Sequence, residues 1–389
     1  MTTALRRIRL LYEGFLRRTE PLWGWKLCGS ARSRINNGMD AVSKYSWVTE
    51  CPHLRGTTDD PCLAICESEG ENAVDLMAAV RLGLEDEGRR VRARFGDDRR
   101  DPTTARILAE TLAGEGVQYV IGHFGSVVAR TASVVYAQHG ILYLAPGSSS
   151  PDLCGPHAST TLQFFGTDLE QADCLASVAG ALDVPTVVFA ERNNYGAILA
   201  RTLVERLAPR LTQLQVIYGY RHGAAMRQGM TRPGRVIILG SREFAQRIVM
   251  LNFVKESEAD LLLSDDSFTP SLLASGIPLA RSRVAFMERN GEILIDRPAS
   301  HVRGRASKLY GRPPGPYFET AYIAVRALSQ AWSEVGPADV RRVQERIMRQ
   351  TWPSPFGMLS LSASCRLVGH RWNMIPVSSL IVAPQGQVA

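Results

Sequence analysis

Four polar loops carry residue types that could bind a small ligand. Each loop follows a short apolar run that predicts a buried strand, and the loops begin at Gly122, Ala145, Glu191 and Ser264. In open α/β sheets, ligands are held by the loops at the carboxyl ends of the parallel strands. The four loops are therefore candidates for a common binding site.

The first two loops could bind an anion. Ser126 lies in one of them, and Ser148 and Ser149 lie in the other. Both loops lead into predicted helices, where free backbone N–H groups and hydroxyls suit a carboxylate. The alternative is ordinary N-capping, with Ser126 and Ser150 as the cap residues. Taken alone, each loop favours the capping interpretation.

The other two loops offer an aromatic ring and two carboxylates. Tyr195 precedes a glycine and could close over a ligand, while Asp265 and Asp266 could meet an ammonium group. The alternatives are a packed tyrosine at a helix start and a solvated acidic turn. The combination of anion-seeking donors in one half of the chain with carboxylates and a ring in the other favours a ligand site.

No enzyme motif accompanies these loops. The sequence has no G-x-S-x-G elbow, H-E-x-x-H pair, Walker lysine loop or G-x-G-x-x-G turn after a strand. The 7 cysteines are irregularly spaced, and Cys62 and Cys66 lack the second Cys/His pair that a zinc site needs. We therefore predict a protein that is not an enzyme and that uses no metal and no cofactor.

The composition is that of a soluble globular chain of two or three domains, with 389 residues, 45% apolar and 21% charged. The net charge of +7 comes from 45 basic and 38 acidic residues. Four of the basic residues are lysine, which leaves 41 arginines (45 − 4) spread along the whole chain among acidic residues. A nucleic-acid surface would gather its charge locally, so this spread argues against nucleic-acid binding.

From about residue 62, short apolar runs alternate with segments of helical periodicity, which predicts an α/β fold with parallel sheets. The predicted strands are 63–66, 91–95, 117–121, 141–144, 186–190, 214–218, 236–239, 260–263 and 284–287. The predicted helices are 73–87, 102–114, 126–138, 169–181, 197–207, 242–255, 317–335 and 338–349. We interpret 162–166 as a strand that leads away from the first sheet, and 293–316 as a loop.

Residues 1–58 differ from the rest of the chain, with tryptophans among arginines and a Ser/Gly/Asn-rich patch. They are either a poorly ordered extension, from an overlong start, or a genuine appendage. Arginines interrupt every apolar run near the start, so no export signal is predicted and the chain as written stays in the cytoplasm. No apolar stretch approaches the ~18 residues of a membrane span.

The order of several motifs is familiar. The chain resembles the type I periplasmic solute-binding proteins, in the branch of the leucine/isoleucine/valine-binding proteins and amide sensors. The motifs that carry the resemblance are Gly96-Asp97-Asp98, Asp101-Pro102, GVQYVIGHFGS, GILYLAPGSSSPDL, FFGTDLEQA, VVFAERNNYG, PGPYFETAYIAVRALSQAWSEVG and SPFGMLSLSASCRLVGHRW. They span roughly residues 60–385.

The resemblance implies two doubly wound α/β lobes, joined by three crossovers, that close over a ligand as a hinge. The crossovers are expected near 164–167, 288–291 and 353–357. The expected domains are an N-terminal extension over 1–58, a first lobe over 59–165 with 290–352, and a second lobe over 166–289 with 353–389.

The resemblance also implies a site for an α-amino acid zwitterion. Ser126 matches a serine that binds the ligand carboxylate, and Ser148 and Ser149 match a pair that does the same. Tyr195 matches a tyrosine that packs on the ligand. Asp266, or Asp265 if the register slips by one, matches the acid that takes the amino group.

The implied function is ligand capture by the substrate-binding protein of an ABC importer for branched-chain amino acids or amides, with the membrane permease as partner and the periplasm as location. The absence of an export signal leaves three accounts open: a misassigned start, an unusual export route, or a cytoplasmic sensor. The alternative function is therefore a cytoplasmic amide or amino-acid sensor that acts on a regulatory protein. A third alternative is an enzyme on the same scaffold, for which the sequence offers no catalytic pair.

Two features depart from the family pattern. The loop after the first strand is shortened, which leaves one wall of the cleft undefined. Arg242 follows strand 236–239, where relatives often carry an aromatic residue. Arg242 could prefer a second carboxylate or face solvent, and we favour solvent.

Overall fold

The computed structural model describes residues 48–55, 57, 59–219, 233–251, 254, 258–268, 272, 277–287, 297–312, 314–354 and 357–380. The strands within these residues are β1 (Val48–Arg55), β2 (Cys62–Cys66), β3 (Arg92–Gly96), β4 (Tyr119–Gly122), β5 (Leu142–Ala145), β6 (Thr161–Gln163), β7 (Thr186–Ala190), β8 (Leu214–Tyr218), β9 (Arg235–Leu239), β10 (Asp260–Leu263), β11 (Ser282–Met287), β12 (Thr351–Ser354), β13 (Gly357–Leu361), β14 (Leu367–Val368) and β15 (Trp372–Pro376). The helices are α1 (Glu71–Asp86), α2 (Pro102–Gly114), α3 (Ser126–Gln138), α4 (Asp168–Ala179), α5 (Asn194–Leu207), α6 (Arg242–Val249), α7 (Arg297–Tyr310), α8 (Phe318–Val335) and α9 (Val340–Met348).

The first sheet has the strand order β1-β3-β2-β4-β5-β6. The strands β2 to β6 are parallel to their neighbours, and β1 pairs antiparallel with β3 at the edge. All five residues of β2 are buried. A strand buried on both sides needs helices on both faces of the sheet, and its continuous apolar run is the expected sequence signature.

Both edges of this sheet differ from the prediction. The strand β6 pairs with β5 and closes the first sheet, whereas the sequence analysis had it lead away from that sheet. The strand β1 lies within residues 1–58, which were assigned to the N-terminal extension. Its sequence, VTECPHLR, contains a proline and charged residues. Such residues argue against a strand when only the sequence is known, but they are tolerated at a sheet edge.

The second sheet has the order β15-β11-β10-β9-β7-β8. Its strands are parallel except for β15, which pairs antiparallel with β11 at the edge. The last strand of the chain in this region therefore returns to a sheet that was built from residues 186–287.

A small antiparallel sheet, β12-β13-β14, links the two larger ones. Leu359, Leu361 and Leu367 of this sheet still pack in the core of the first sheet. The chain joins the second sheet only at β15. This return lies after β14 and not near 353–357, where the sequence analysis placed the third crossover.

Helices cover both faces of each large sheet. The core on one face of the first sheet includes residues of α1 and α8, and the core on its other face includes residues of α2 and α3. On the second sheet, α4 and α5 contribute to one core and α6 to the other. This arrangement confirms the predicted fold class, two doubly wound α/β lobes. The exact lobe boundaries stay a prediction.

The helix α7 corrects the prediction of a loop over 293–316. Val302 and Ala306, one helical turn apart, are both buried in the core of the first sheet. The Nη1 atom of Arg303 in α7 lies 3.1 Å from Oε2 of Glu319 in α8, so an ion pair joins the two helices. The arginine-rich sequence hides this short apolar stripe, because only two residues of the described part are fully buried and the charges find partners only in the folded chain.

Among the helices of the described residues, none has both the length and the apolar character needed to cross a bilayer.

Candidate functional site

The loop after β5 brings Ser148 and Ser149 into the interior. Gly147, just before them, lies so close to the Phe124 ring that an added Cβ would stand 2.5 Å from it. Ser148 and Ser149 are both buried, and the Ser148 hydroxyl has no hydrogen-bond partner among the described residues. A buried hydroxyl without a partner is costly, which marks it as a group able to receive a ligand atom.

Ser126 is the first residue of α3 and is half-buried. The N-cap of this helix is Gly125, and the nearby 3₁₀ turn begins after Gly155. Neither Ser126 nor Ser150 is therefore an N-cap, which removes the capping alternative for both. Within the described part of the chain, no hydrogen bond links Ser126 to the other predicted site residues. The structure therefore does not bring Ser126 into direct contact with them through a hydrogen bond.

Tyr195 and Asp265 lie together in the second lobe. The Tyr195 hydroxyl donates to Asp265 Oδ1 at 2.6 Å, and Gln171 Nε2 donates to the same oxygen at 2.7 Å. Burial raises the pKa of Asp265, and the hydrogen bond from Tyr195 opposes the rise. One carboxylate oxygen of Asp265 is thus already occupied, and Tyr195 is held by it.

Asp266 points to the other side of the same turn. The Tyr317 hydroxyl donates to Asp266 Oδ1 at 3.3 Å, which joins the start of α8 to the second lobe. Burial raises the pKa of Asp266 to about 6, although the Arg100 charge works against this rise. A cation that arrives in the cleft would stabilise the charged form of Asp266.

Asp168 is a third buried acid at this place, and the sequence analysis missed it. Its backbone N–H donates to the Ser149 carbonyl at 2.9 Å. Burial raises the pKa of Asp168 to about 7, and a hydrogen bond with Ser149 partly offsets that rise. The nearby charges of Asp265 and Asp266 push it further up. Asp168 begins α4 beside a capping box at Thr167, so its sequence indicated only a helix start.

Aromatic rings form a wall around Tyr317, the hydrogen-bond partner of Asp266. The Tyr317 ring lies 4.7 Å from the Phe124 ring and 5.2 Å from the Phe165 ring, measured between centroids. Phe165 in turn lies 5.5 Å from Trp372 in an edge-to-face arrangement. These residues come from both lobes, so the wall depends on the way in which the lobes meet.

A cavity of ≈ 380 Å³ opens next to Asp266, between the lobes. Every residue that lines it is polar, charged or glycine: Ser68, Glu69, Gly70, Glu71, Asn72, Asp97, Arg99, Arg100, Arg242, Glu243 and Asp266. Loops after β2 and β3 supply the residues of one side, and the start of α6 with Asp266 supplies the other. Of the predicted ligand-binding residues, Asp266 lines this cavity.

Arg242 lines the cavity and does not simply face solvent, which corrects the sequence-based preference. Its Nη1 atom lies 3.4 Å from Glu71 Oε2 in the other lobe, and it also pairs with Glu243. Burial lowers the pKa of Arg242, but these two carboxylates raise it by more, so the pKa is higher than that of a free arginine. The arginine acts as a bridge across the mouth of the cavity.

Within the described ranges, no group of three or more histidine, cysteine or acidic side chains is arranged to hold a metal ion.

Comparisons with known proteins agree with this architecture. A family model described as "Periplasmic binding protein" matches residues 68–207. The "Leu/Ile/Val-binding protein homolog 1" of Brucella abortus is 27% identical over 278 residues, which cover 68% of this chain and 73% of the relative. The "Leucine-specific-binding protein" of Salmonella typhimurium is 31% identical over 113 residues, or 28% of this chain and 31% of the relative.

Solved structures share the fold. The branched-chain amino acid transporter substrate-binding protein LivJ from Streptococcus pneumoniae, in complex with isoleucine, superposes with a TM-score of 0.68 at 12% identity, covering 81% of this chain and 99% of LivJ. A solute-binding protein of an ABC transporter from R. palustris, in complex with benzoate, also gives a TM-score of 0.68 at 14% identity, covering 84% and 98%. At these identities the likeness concerns the fold.

Proposed function

We propose that this chain, a type I periplasmic binding protein related to the Leu/Ile/Val-binding proteins, captures an α-amino acid between its lobes on behalf of an ABC importer. The observation that carries the proposal is the convergence of groups from both lobes on one cleft. Ser149 follows a strand of the first sheet and Asp266 follows a strand of the second, and the hydrogen bond of Tyr317 with Asp266 joins the start of α8 to the second lobe.

The two ends of the cleft suit the two charges of a zwitterion. Asp266 is the acceptor for the ammonium group, because burial holds its pKa near 6 and a cation would relieve that cost. The hydroxyls of Ser126 and Ser148 are the donors for the carboxylate, since the Ser149 hydroxyl already bonds with Asp168 and the Ser148 hydroxyl has no other partner among the described residues. Tyr195 supports Asp265 beside them.

Capture is completed by closure of the lobes. Each contact across the cleft, such as Tyr317 with Asp266 and Arg242 with Glu71, is made only when the two sides meet. A ligand that contacts both sides favours this closed arrangement by its differential affinity for it. The permease of the importer would then read the closed form, in the periplasm where such proteins work.

The test is isothermal titration calorimetry of the purified chain with the common amino acids, and with acetamide and urea. We expect an amino acid to bind and the amides to give no heat, since they lack both charges. Binding of amides without amino acids would contradict the zwitterion site and support the sensor alternative. Binding of neither class would refute the proposal.

Ser148→Ala sharpens the test. It should weaken amino acid binding by about tenfold, the value of one hydrogen bond to a charged group. It should leave the Tm of the empty protein unchanged or slightly raised, because the Ser148 hydroxyl lacks a partner in the described structure. Ser177→Ala is the control, since Ser177 lies on the exposed face of α4 and its hydroxyl bonds to the Cys174 carbonyl. A lower Tm for Ser148→Ala with unaltered affinity would assign the serine to structure.

A further inference from the structure

The cavity beside Asp266 offers no surface for an aliphatic side chain. None of the residues that line it carries an aliphatic or aromatic side chain, and eight of them are charged. A branched-chain side chain gains affinity by burying apolar surface against apolar surface. Placed here, it would instead cover charged groups and remove them from water, which is costly. The walls suit a ligand with a polar or charged side chain.

Arg100 is the cation in this cavity that is best placed for a ligand. Its Nε atom donates to Ser68 Oγ at 3.2 Å, the hydrogen bond that its guanidinium makes among the described residues. Arg100 lines the cavity, and it is exposed rather than buried in the protein interior. Burial lowers its pKa, but Asp266 and Glu67 raise the pKa of Arg100 more, so the charge is secure.

The other two arginines of the cavity are already engaged. Arg242 pairs with Glu71 and Glu243. Arg99 lies 3.9 Å from Asp97. Three acids of the cavity, Asp97, Glu71 and Glu243, are thereby paired with these two arginines, whereas Arg100 and Asp266 both line the cavity and attract each other.

The backbone holds Arg100 in an unusual conformation. Arg99 and Arg100 both have left-handed φ values, 53° and 52°, which residues with side chains rarely adopt. The side chains of Asp97 and Asp98 stabilise the turn by accepting from the backbone N–H groups of Arg99 at 2.8 Å and Arg100 at 2.9 Å. Strain of this kind is typical of functional positions, because the surrounding structure must hold it in place.

A buried network fixes Asp98 in turn. Its Oδ2 atom lies 2.8 Å from His123 Nδ1, and His123 Nε2 lies 2.8 Å from the Tyr136 hydroxyl. His123 is fully buried and itself has a left-handed φ of 51°. The chain of contacts runs from α3 through His123 and Asp98 to the backbone of Arg100. The backbone of Arg100 is therefore held in place before any ligand arrives.

We propose that Arg100 is the specificity-determining residue of this cleft and binds a carboxylate on the ligand's side chain, so that the ligand is an acidic amino acid and not a branched-chain one. The inference rests on the proposed function, since it assumes that Asp266 takes the ammonium group and the serines take the α-carboxylate. The ligand side chain then reaches from this inner site into the charged cavity. A carboxylate matches the planar fork of an arginine in a bidentate manner.

The experiment compares L-glutamate, L-aspartate, L-glutamine and L-leucine by isothermal titration calorimetry at about pH 8, where Asp266 and Asp168 are charged. The wild-type chain should bind an acidic amino acid more tightly than leucine. Arg100→Gln should weaken binding of that acidic amino acid by about 10- to 100-fold, the loss of one charge-assisted contact. It should weaken glutamine by less than about threefold, since an amide makes only a neutral bond.

Arg106→Gln is the matched control, because Arg106 carries the same charge on the exposed face of α2 and pairs with Glu110 outside the cleft. It should leave all affinities unchanged, which excludes a general effect of net charge. Tighter binding of leucine than of either acid by the wild-type chain would overturn the inference and leave the proposed function intact. Equal losses of the acid and glutamine in Arg100→Gln would also overturn it. Failure of every amino acid to bind would instead refute the proposed function.

Discussion

Among single residues, Asp266 is the one whose charge depends most on the ligand. Burial raises the pKa of Asp266 to about 6 in the empty protein. An ammonium group requires the charged form, so binding below this pH must first expel a proton. We therefore expect the affinity for the amino acid to rise by about tenfold per pH unit up to about pH 6 and then to level off. Calorimetry between about pH 5 and pH 8 measures this profile.

The variant Asp266→Asn should bind the amino acid weakly and lose the part of the slope below about pH 6. Asp168 titrates nearby, because burial raises the pKa of Asp168 to about 7. Asp168→Asn is therefore the necessary companion: it should retain the slope below about pH 6, whereas loss of that slope would assign the titration to Asp168. An unaltered slope in Asp266→Asn would show that another group, and not Asp266, receives the ammonium.

The residues that the sequence predicted and those that it missed differ in a physical way. Ser149, Asp265 and Asp266 follow strands, and a parallel sheet brings strand ends to one edge. Asp168 and Arg100 act through contacts between elements that are distant in the chain. The burial of Asp168 and the left-handed turn at Arg100 exist only after folding, so neither position has a distinguishing sequence signal. The ligand roles of the predicted residues remain predictions.

At the scale of elements, the loop after β5 depends on a close approach. A Cβ on Gly147 would lie 2.5 Å from the Phe124 ring, which itself packs against Tyr317. Gly147→Ala should therefore destabilise the protein by about 1–3 kcal/mol, the usual cost of overpacking. Chemical denaturation measures this change, and the same variant should weaken amino acid binding because the adjacent serines move.

Two companions make the Gly147 prediction specific. Phe124→Leu should restore part of the stability of Gly147→Ala, since it removes the ring that the new methyl meets. Gly114→Ala, at the end of α2, should be neutral or stabilising by up to about 1 kcal/mol, because an added Cβ there meets nothing within 4 Å. Equal destabilisation by both glycine substitutions would mean that the ring contact is not the cause.

Elements were predicted best where one physical signal dominated. The buried strands β2, β4 and β9 are continuous apolar runs, and α2 and α3 match their predicted bounds because their periodicity is regular. The edge strand β1 and helix α7 were missed, since their residues are stabilised by neighbours and carry little apolar pattern of their own. Edge strands and charged helices are thus the elements whose formation depends most on tertiary contacts.

At the scale of the whole molecule, the central question is what holds the lobes together before a ligand arrives. At the mouth of the cleft, the ion pair of Arg242 with Glu71 connects the two lobes, and the two side chains are 29% and 13% exposed. A partly buried pair of this kind contributes about 1 kcal/mol. That is enough to bias an open and closed equilibrium without locking it.

Arg242→Ala should therefore shift the empty protein towards the open form and weaken amino acid binding by about fivefold, because closure must then be driven by the ligand alone. Small-angle X-ray scattering should give a larger radius of gyration for the empty variant and the wild-type value once the ligand saturates it. Arg206→Ala is the control, since its exposed pair with Asp173 joins α5 to α4 on the same side of the cleft. A variant that stays as closed as the wild type, with unaltered affinity, would show that the ion pair follows closure and does not bias it. In that event the aromatic wall around Tyr317 would be the element that sets the balance between the lobes.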